Sequence, residues 1–124
     1  MSQFFHCDGV TLWNPSNGTA RLFLHQVSFY ENELALPSGI GPMVDDDAAV
    51  DPPVLHAFAT ALVRWRLTAR HPVLSALSDG FVATALVLAE RAGRPVPLPD
   101  PAAPDGGALG LPAKAGELSR AMTR

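Results

Sequence analysis

The chain has one cysteine, one lysine and one tyrosine among its 124 residues. The lone Cys7 excludes an internal disulfide framework and any cysteine-built zinc site. It also fits a reducing compartment better than a secreted one. The single lysine, Lys114, sits in a chain of formal net charge −3. Such a chain lacks the clustered cations that neutralise phosphates, so nucleic acid is not an expected partner. Long apolar runs are scarce as well. The longest strongly apolar run, Phe81–Ala89, falls far short of the ~20 residues a membrane span needs. The N-terminal MSQFFHCDGV has no basic region ahead of an apolar stretch, so no signal peptide is expected either. A cytoplasmic protein follows as the expectation, with no membrane contact.

Catalytic signatures are missing too. There is no G-x-S-x-G elbow, no phosphate loop closed by G-K-[ST] and no H-E-x-x-H. The histidines are His6, His25, His56 and His71, and no two lie one helical turn apart. His6 and Cys7 are neighbours in an expected strand, where adjacent side chains point to opposite faces and cannot share a metal. Nothing fixes which histidine would serve Cys7 as a nucleophile's base. No cofactor and no metal are expected, and the balance is against an enzyme.

What is present is a globular composition, 48% apolar, in a chain long enough for one domain. The texture changes near Arg94. Residues 94–124 carry six prolines and four glycines, which block helix interiors and central strands. This predicts a flexible Pro/Ala/Gly-rich tail over 94–124, after a single domain at 1–93. AKAGELSRAM within the tail is marginal as a helix on its own, being short and interrupted by Gly116.

In the first 93 residues, Asp8-Gly9 between QFFHC and VTLW is a hairpin signal, since both central residues of a type I′ turn need positive φ. Strands are expected at about 3–7 and 10–13. Ala20, Phe23, Leu24, Val27, Tyr30 and Leu34 recur at helical spacing and predict a helix over about 17–35. Leu22, Phe29 and Leu36 lie off that stripe and widen it or provide a second contact surface. Pro37–Val50 reads as loop, with a short edge strand near Ala48–Val50. Asp51 followed by Pro52 marks a second helix start, with Leu55, Phe58, Leu62 and Trp65 as its inner stripe. Pro72 ends that helix and opens a third over 72–92, closed by Gly93 as a left-handed cap. Asp79-Gly80 sits midway and could interrupt it. Phe81–Ala89 is apolar on nearly every side, which places it centrally or in a subunit interface. A homodimer through helix 72–92 is therefore expected. The expected fold is α+β: an N-terminal β-hairpin packed against about three helices, with the flexible tail following. An all-helical arrangement is the alternative.

Candidate site residues fall in two places. In LWNPSNGTARLF, Asn14-Pro15 and Ser16-Asn17 can each cap the helix that follows. The same stretch could line a ligand site between the hairpin and the first helix, using Trp13, Asn14, Asn17, His25 and Tyr30. Asp45, Asp46 and Asp47 form the most charged spot. They lack the alternation, the turn glycine and the closing Glu of a calcium loop, so they read as a solvated acidic loop or a surface for a basic partner.

LWNPSNGTARLFLHQ, LPSGIGPMVDDD, Asp51-Pro52 and GFVATALVLAERAG together resemble a small family of uncharacterised proteins from Streptomyces and related actinobacteria. The resemblance covers roughly residues 1–95 and leaves out the Pro-rich tail. It implies a recurring bacterial cytoplasmic domain of unknown function and carries no catalytic residues. Two kinds of role follow from the sequence. The first is a non-catalytic partner-binding protein, accessory or immunity-like. The alternative is a small-molecule binder or compact enzyme of specialised metabolism.

Overall fold

Two residues at positive φ, Asp8 at 49° and Gly9 at 80°, reverse the chain between β1 (Phe4–Cys7) and β2 (Val10–Trp13). The computed structural model that shows this describes residues 2–69, 71–98 and 110–124. The hairpin register shifts by one residue between Phe5 and His6. That bulge lets consecutive residues Leu12 and Trp13 both face the core. β3 (Asp47–Ala49) joins on the other side of β1, parallel to it, giving the order β2-β1-β3.

α1 (Asn17–Leu34) connects β2 to β3 and buries Ala20, Phe23, Val27 and Tyr30. Ser16 is its cap, accepting from the Thr19 backbone N–H. Beyond α1, Glu31 accepts from the Ser38 backbone N–H at 2.9 Å, which ties down the loop that leads to α2. Gly39 sits at φ 79° where a side chain would lie 2.7 Å from the Leu55 nitrogen and 2.8 Å from the Asp51 oxygen. Only glycine lets the loop approach the start of α2 this closely. Ile40 and Val44 then bridge back to Val50 and Asp47, covering much of the free edge of β3.

α2 (Pro52–Thr68) is capped by Asp51 and α3 (Pro72–Arg91) by the His71 ring. α3 ends as its sequence predicts, with Gly93 at φ 82°. Arg94 N–H bonds to Ala89 and Gly93 N–H to Glu90, the paired arrangement of a Schellman cap. Asp79-Gly80 does not interrupt the helix. Thr84 Oγ1 donates to the Gly80 carbonyl at 2.8 Å, and the apolar second half is packed on enough sides to outweigh glycine's poor propensity. α3 is long and apolar enough to cross a membrane by length and composition. Its second half, Phe81–Ala89, is the central helix of the fold, buried except at Thr84.

A chain of rings runs through the core. Phe5 stacks on Trp13, Trp13 meets Phe23 edge-on, Phe23 stacks on Phe81, Phe81 on Tyr30, and Tyr30 meets Trp65 edge-on. It ties the sheet through α1 and α3 to α2.

The expected flexible tail is replaced over Gly110–Ala121 by a helix, α4. Leu111 is buried, as is Met122 just beyond the helix, and α4 packs along α3. Its local propensity is weak, and tertiary burial supplies the stability that Gly116 and short length withhold. Val96 and Leu98 also pack against the core. Residues 99–109, which hold much of the expected tail, lie outside the described residues. The fold is α+β, with four helices and a three-stranded sheet among the described residues.

Candidate functional site

The junction Trp13–Asn17 is fastened from the far end of the chain. Asn14 donates its backbone N–H to the Thr123 carbonyl at 2.8 Å, and its own carbonyl accepts from Thr123 Oγ1 at 3.3 Å. The Arg91 guanidinium donates to the carbonyls of Leu12, Ser119 and Met122 at 2.8–2.9 Å. One cation from α3 thus holds β2 to the end of α4, where free carbonyls of the last helical turn attract positive charge. Burial, then repulsion from Arg124, lowers the Arg91 pKa, while Glu90 opposes that shift.

The sequence-derived site residues do not form one site. Trp13 and Tyr30 are core residues in the ring chain. Phe5, Trp13 and Phe23 fill the space between hairpin and α1. Asn17 and His25 do come together, lining a hollow of about 370 Å³ with Gln3, Arg21, Leu24 and Met43. Asn14 faces a different and larger groove. Among the described residues, Asn14 Oδ1 and Asn17 Oδ1 are both buried without a hydrogen-bond partner. Neither side chain is the cap of α1, which is Ser16.

Asp45, Asp46 and Asp47 are explained by backbone conformation. Asp45 and Asp46 sit at φ 52° and 63°, with Val44 and Asp47 exchanging two backbone hydrogen bonds across them. This is a tight turn of the primed kind, in which Asp is tolerated at positive φ. Asp47 then enters β3 and lies 3.2 Å from His6 Nε2 across the sheet. Among the described residues no three His, Cys, Asp or Glu side chains gather to hold a metal ion.

The groove that Asn14 faces is the more developed feature. It has a volume of about 590 Å³ and lies between α1, α3 and α4, with the Asn14–Ser16 junction closing one end. Phe23, Phe81 and Trp13 form its floor. Leu22 of α1 and Leu77 of α3 stand on its lip, 62% and 74% exposed. Gly80 opens it further: a side chain there would meet nothing within 4 Å. Lys114 is its charged residue, and no carboxylate lines it among the described residues. The sequence reading missed Leu77, Gly80, Thr84, Lys114 and Leu118 as groove residues. Two signals were visible: Leu22 lay off the α1 stripe, and the small residues Ala76, Gly80 and Thr84 follow at four-residue spacing along one face of α3.

A mixed three-stranded sheet backed by helices, with an apolar groove on the helical side, defines a small α+β domain. The chain belongs to a family of unknown function, DUF6086, whose model matches residues 1–124. The match extends through the Pro-rich stretch that the resemblance noted above left out. No curated protein and no solved structure matches the chain.

Proposed function

We propose that this protein is a non-catalytic interaction module whose α1–α3–α4 groove seats an apolar helix of a protein partner. The observation that supports this is the pair of large apolar side chains left in water on the groove's lip, Leu22 and Leu77. Val73 and Leu74 on α3 and Phe29 on α1, the two helices that carry that lip, are exposed as well. Single exposed apolar residues need no explanation, but a cluster of this kind beside a preformed apolar trough marks an interaction surface. A helix about 10 Å across lays one apolar face into such a trough. The acidic turn at Asp45–Asp47 lies apart from the groove and would suit a basic segment of the same partner.

A photo-crosslinking residue at Leu22, installed in the native host, tests the proposal. The expected result is a protein adduct that disappears when Gly80→Trp fills the groove. A Cβ added at Gly80 meets no atom within 4 Å, and an unchanged circular dichroism spectrum checks that the helix survives the change. Loss of every adduct in the parent protein, or adducts indifferent to Gly80→Trp, would overturn it.

A second reading rests on Asn14. Asn14 lines a groove whose volume lies within the usual ~300–1,000 Å³ of ligand sites, and its buried Oδ1 has no hydrogen-bond partner. An apolar small molecule carrying one N–H or O–H donor would satisfy that oxygen once the Asn14 side chain turns towards the groove. Native mass spectrometry of gently purified protein should then show a bound mass that Asn14→Ala removes. A bare polypeptide mass would sink this second reading.

A further inference from the structure

α3 presents two unlike surfaces end to end. Its first two turns stand clear of the domain: Pro72, Val73, Leu74, Ala76 and Leu77 are all exposed. Its second half is recessed between α1 and α4, and there the groove wall is made of Gly80, Phe81 and Thr84. Val73, Leu77, Gly80 and Thr84 follow one another at steps of four, three and four residues, the spacing of a helix–helix seam. The large members of the seam lie at one end and the small members at the other.

We propose that the groove is occupied by a second copy of this chain, with the two α3 helices packed antiparallel about a two-fold axis at the level of Ser78 and Asp79. This rests on the reading of the groove as a helix seat and names its occupant. Under that axis Leu77 lies over Gly80 of the partner subunit, and Val73 over Thr84 of the partner subunit. The projecting half of each helix fills the recessed half of the other. An isologous interface requires that one patch carry both the knob and the hole, and this patch does. Gly80, with no side chain, permits the close backbone approach that a Leu knob needs.

The electrostatics agree. Asp79 is the carboxylate nearest the axis, and Arg66 of α2 holds both of its oxygens. The two copies therefore bring paired ions rather than bare like charges towards each other. Lys114 has a stem long enough to carry its ammonium out to solvent from the groove wall. Leu22 of α1 lines the same groove as Leu77 and is likewise exposed, so it adds an apolar side chain beside the seam.

Sedimentation of the full chain at micromolar concentration should give twice the 13.1 kDa chain mass. Leu77→Asp, at a position already exposed in the protomer, should weaken association on the order of 100-fold while leaving the circular dichroism spectrum unchanged. Register is read by disulfide trapping in a Cys7→Ser background. Val73→Cys mixed with Thr84→Cys should cross-link, while each alone should not, because like positions would lie about 17 Å apart along the axis. A dimer that ignores Leu77→Asp, or that fails to form the mixed cross-link, overturns the proposal. A monomer that yields a Gly80→Trp-sensitive adduct with a different protein overturns the self-occupant and leaves the helix seat standing. A monomer with no adduct overturns both.

Discussion

Ala35 ends α1 at φ 54°, with its N–H bonded to the Asn32 carbonyl and the Leu36 N–H to Glu31. This is the same Schellman geometry that Gly93 completes on α3, but with a side chain in the left-handed region. The Cβ there costs about 1 kcal/mol. Ala35→Gly should therefore stabilise the protein by about 1 kcal/mol, read as a higher urea midpoint at unchanged slope. Tyr30 offers a second single-residue test. Burial, then the carboxylates of Asp79 and Glu33, raise its phenol pKa above the usual value. In the unfolded chain the phenol ionises near pH 10, while the folded protein holds its proton longer. Stability from this group is thus complete below about pH 10 and falls as pH rises past it. Tyr30→Phe should flatten the alkaline fall in melting temperature relative to the parent protein. An unchanged slope would show that the Tyr30 environment is not the cause. Asn14 and Asn17 show where residue-level inference stops. The cap preference was legible in the sequence, but only the fold selected Ser16 and left both Asn side-chain oxygens buried.

At the scale of elements, local signals located most of what formed. Asp8-Gly9 set the hairpin, Asp51-Pro52 and Pro72 set two helix starts, and Gly93 set a helix end. Each works through dihedrals or hydrogen bonds within a few residues, so each is readable in a short window. α4 was not readable in that way. Gly110–Ala121 becomes a helix because Leu111 and Met122 find buried sites and Arg91 binds the carbonyls of Ser119 and Met122. Arg91→Met should leave three carbonyls without their donor, at a cost of about 2–4 kcal/mol. Amide hydrogen exchange should then quicken first in α4, before the core of α3. Equal loosening of every element would contradict the assignment of Arg91 as the clip. The acidic run teaches the opposite lesson. Asp45 and Asp46 read as a solvated acidic loop, and their exposed side chains stand on a turn whose backbone accepts Asp at positive φ.

For the whole molecule, the groove matters most, and it belongs to no single element. Its lining comes from α1, α3, α4 and the hairpin junction, segments far apart along the chain. If the groove seats a second copy, folding and association are linked. The melting temperature should then rise with protein concentration. Gly80→Trp should remove that dependence, whereas a concentration-independent melt in the parent would argue for a monomer.

By itself the sequence pointed to the α+β class, the hairpin, three helices with their starts placed to within a residue or so, and the inner stripe of α1. These rest on φ preferences, capping groups and apolar periodicity, which act over roughly one helical turn. Only the tertiary structure decided that α4 forms, that Trp13 and Tyr30 belong to a packed ring chain, and that Leu22 meets Leu77 across an open groove. The reason is physical. Leu12 and Arg91, or Asn14 and Thr123, are partners separated by 79 and 109 residues. No local preference encodes such a pairing, and the burial that makes a weak helix stable exists only once the rest of the core is in place.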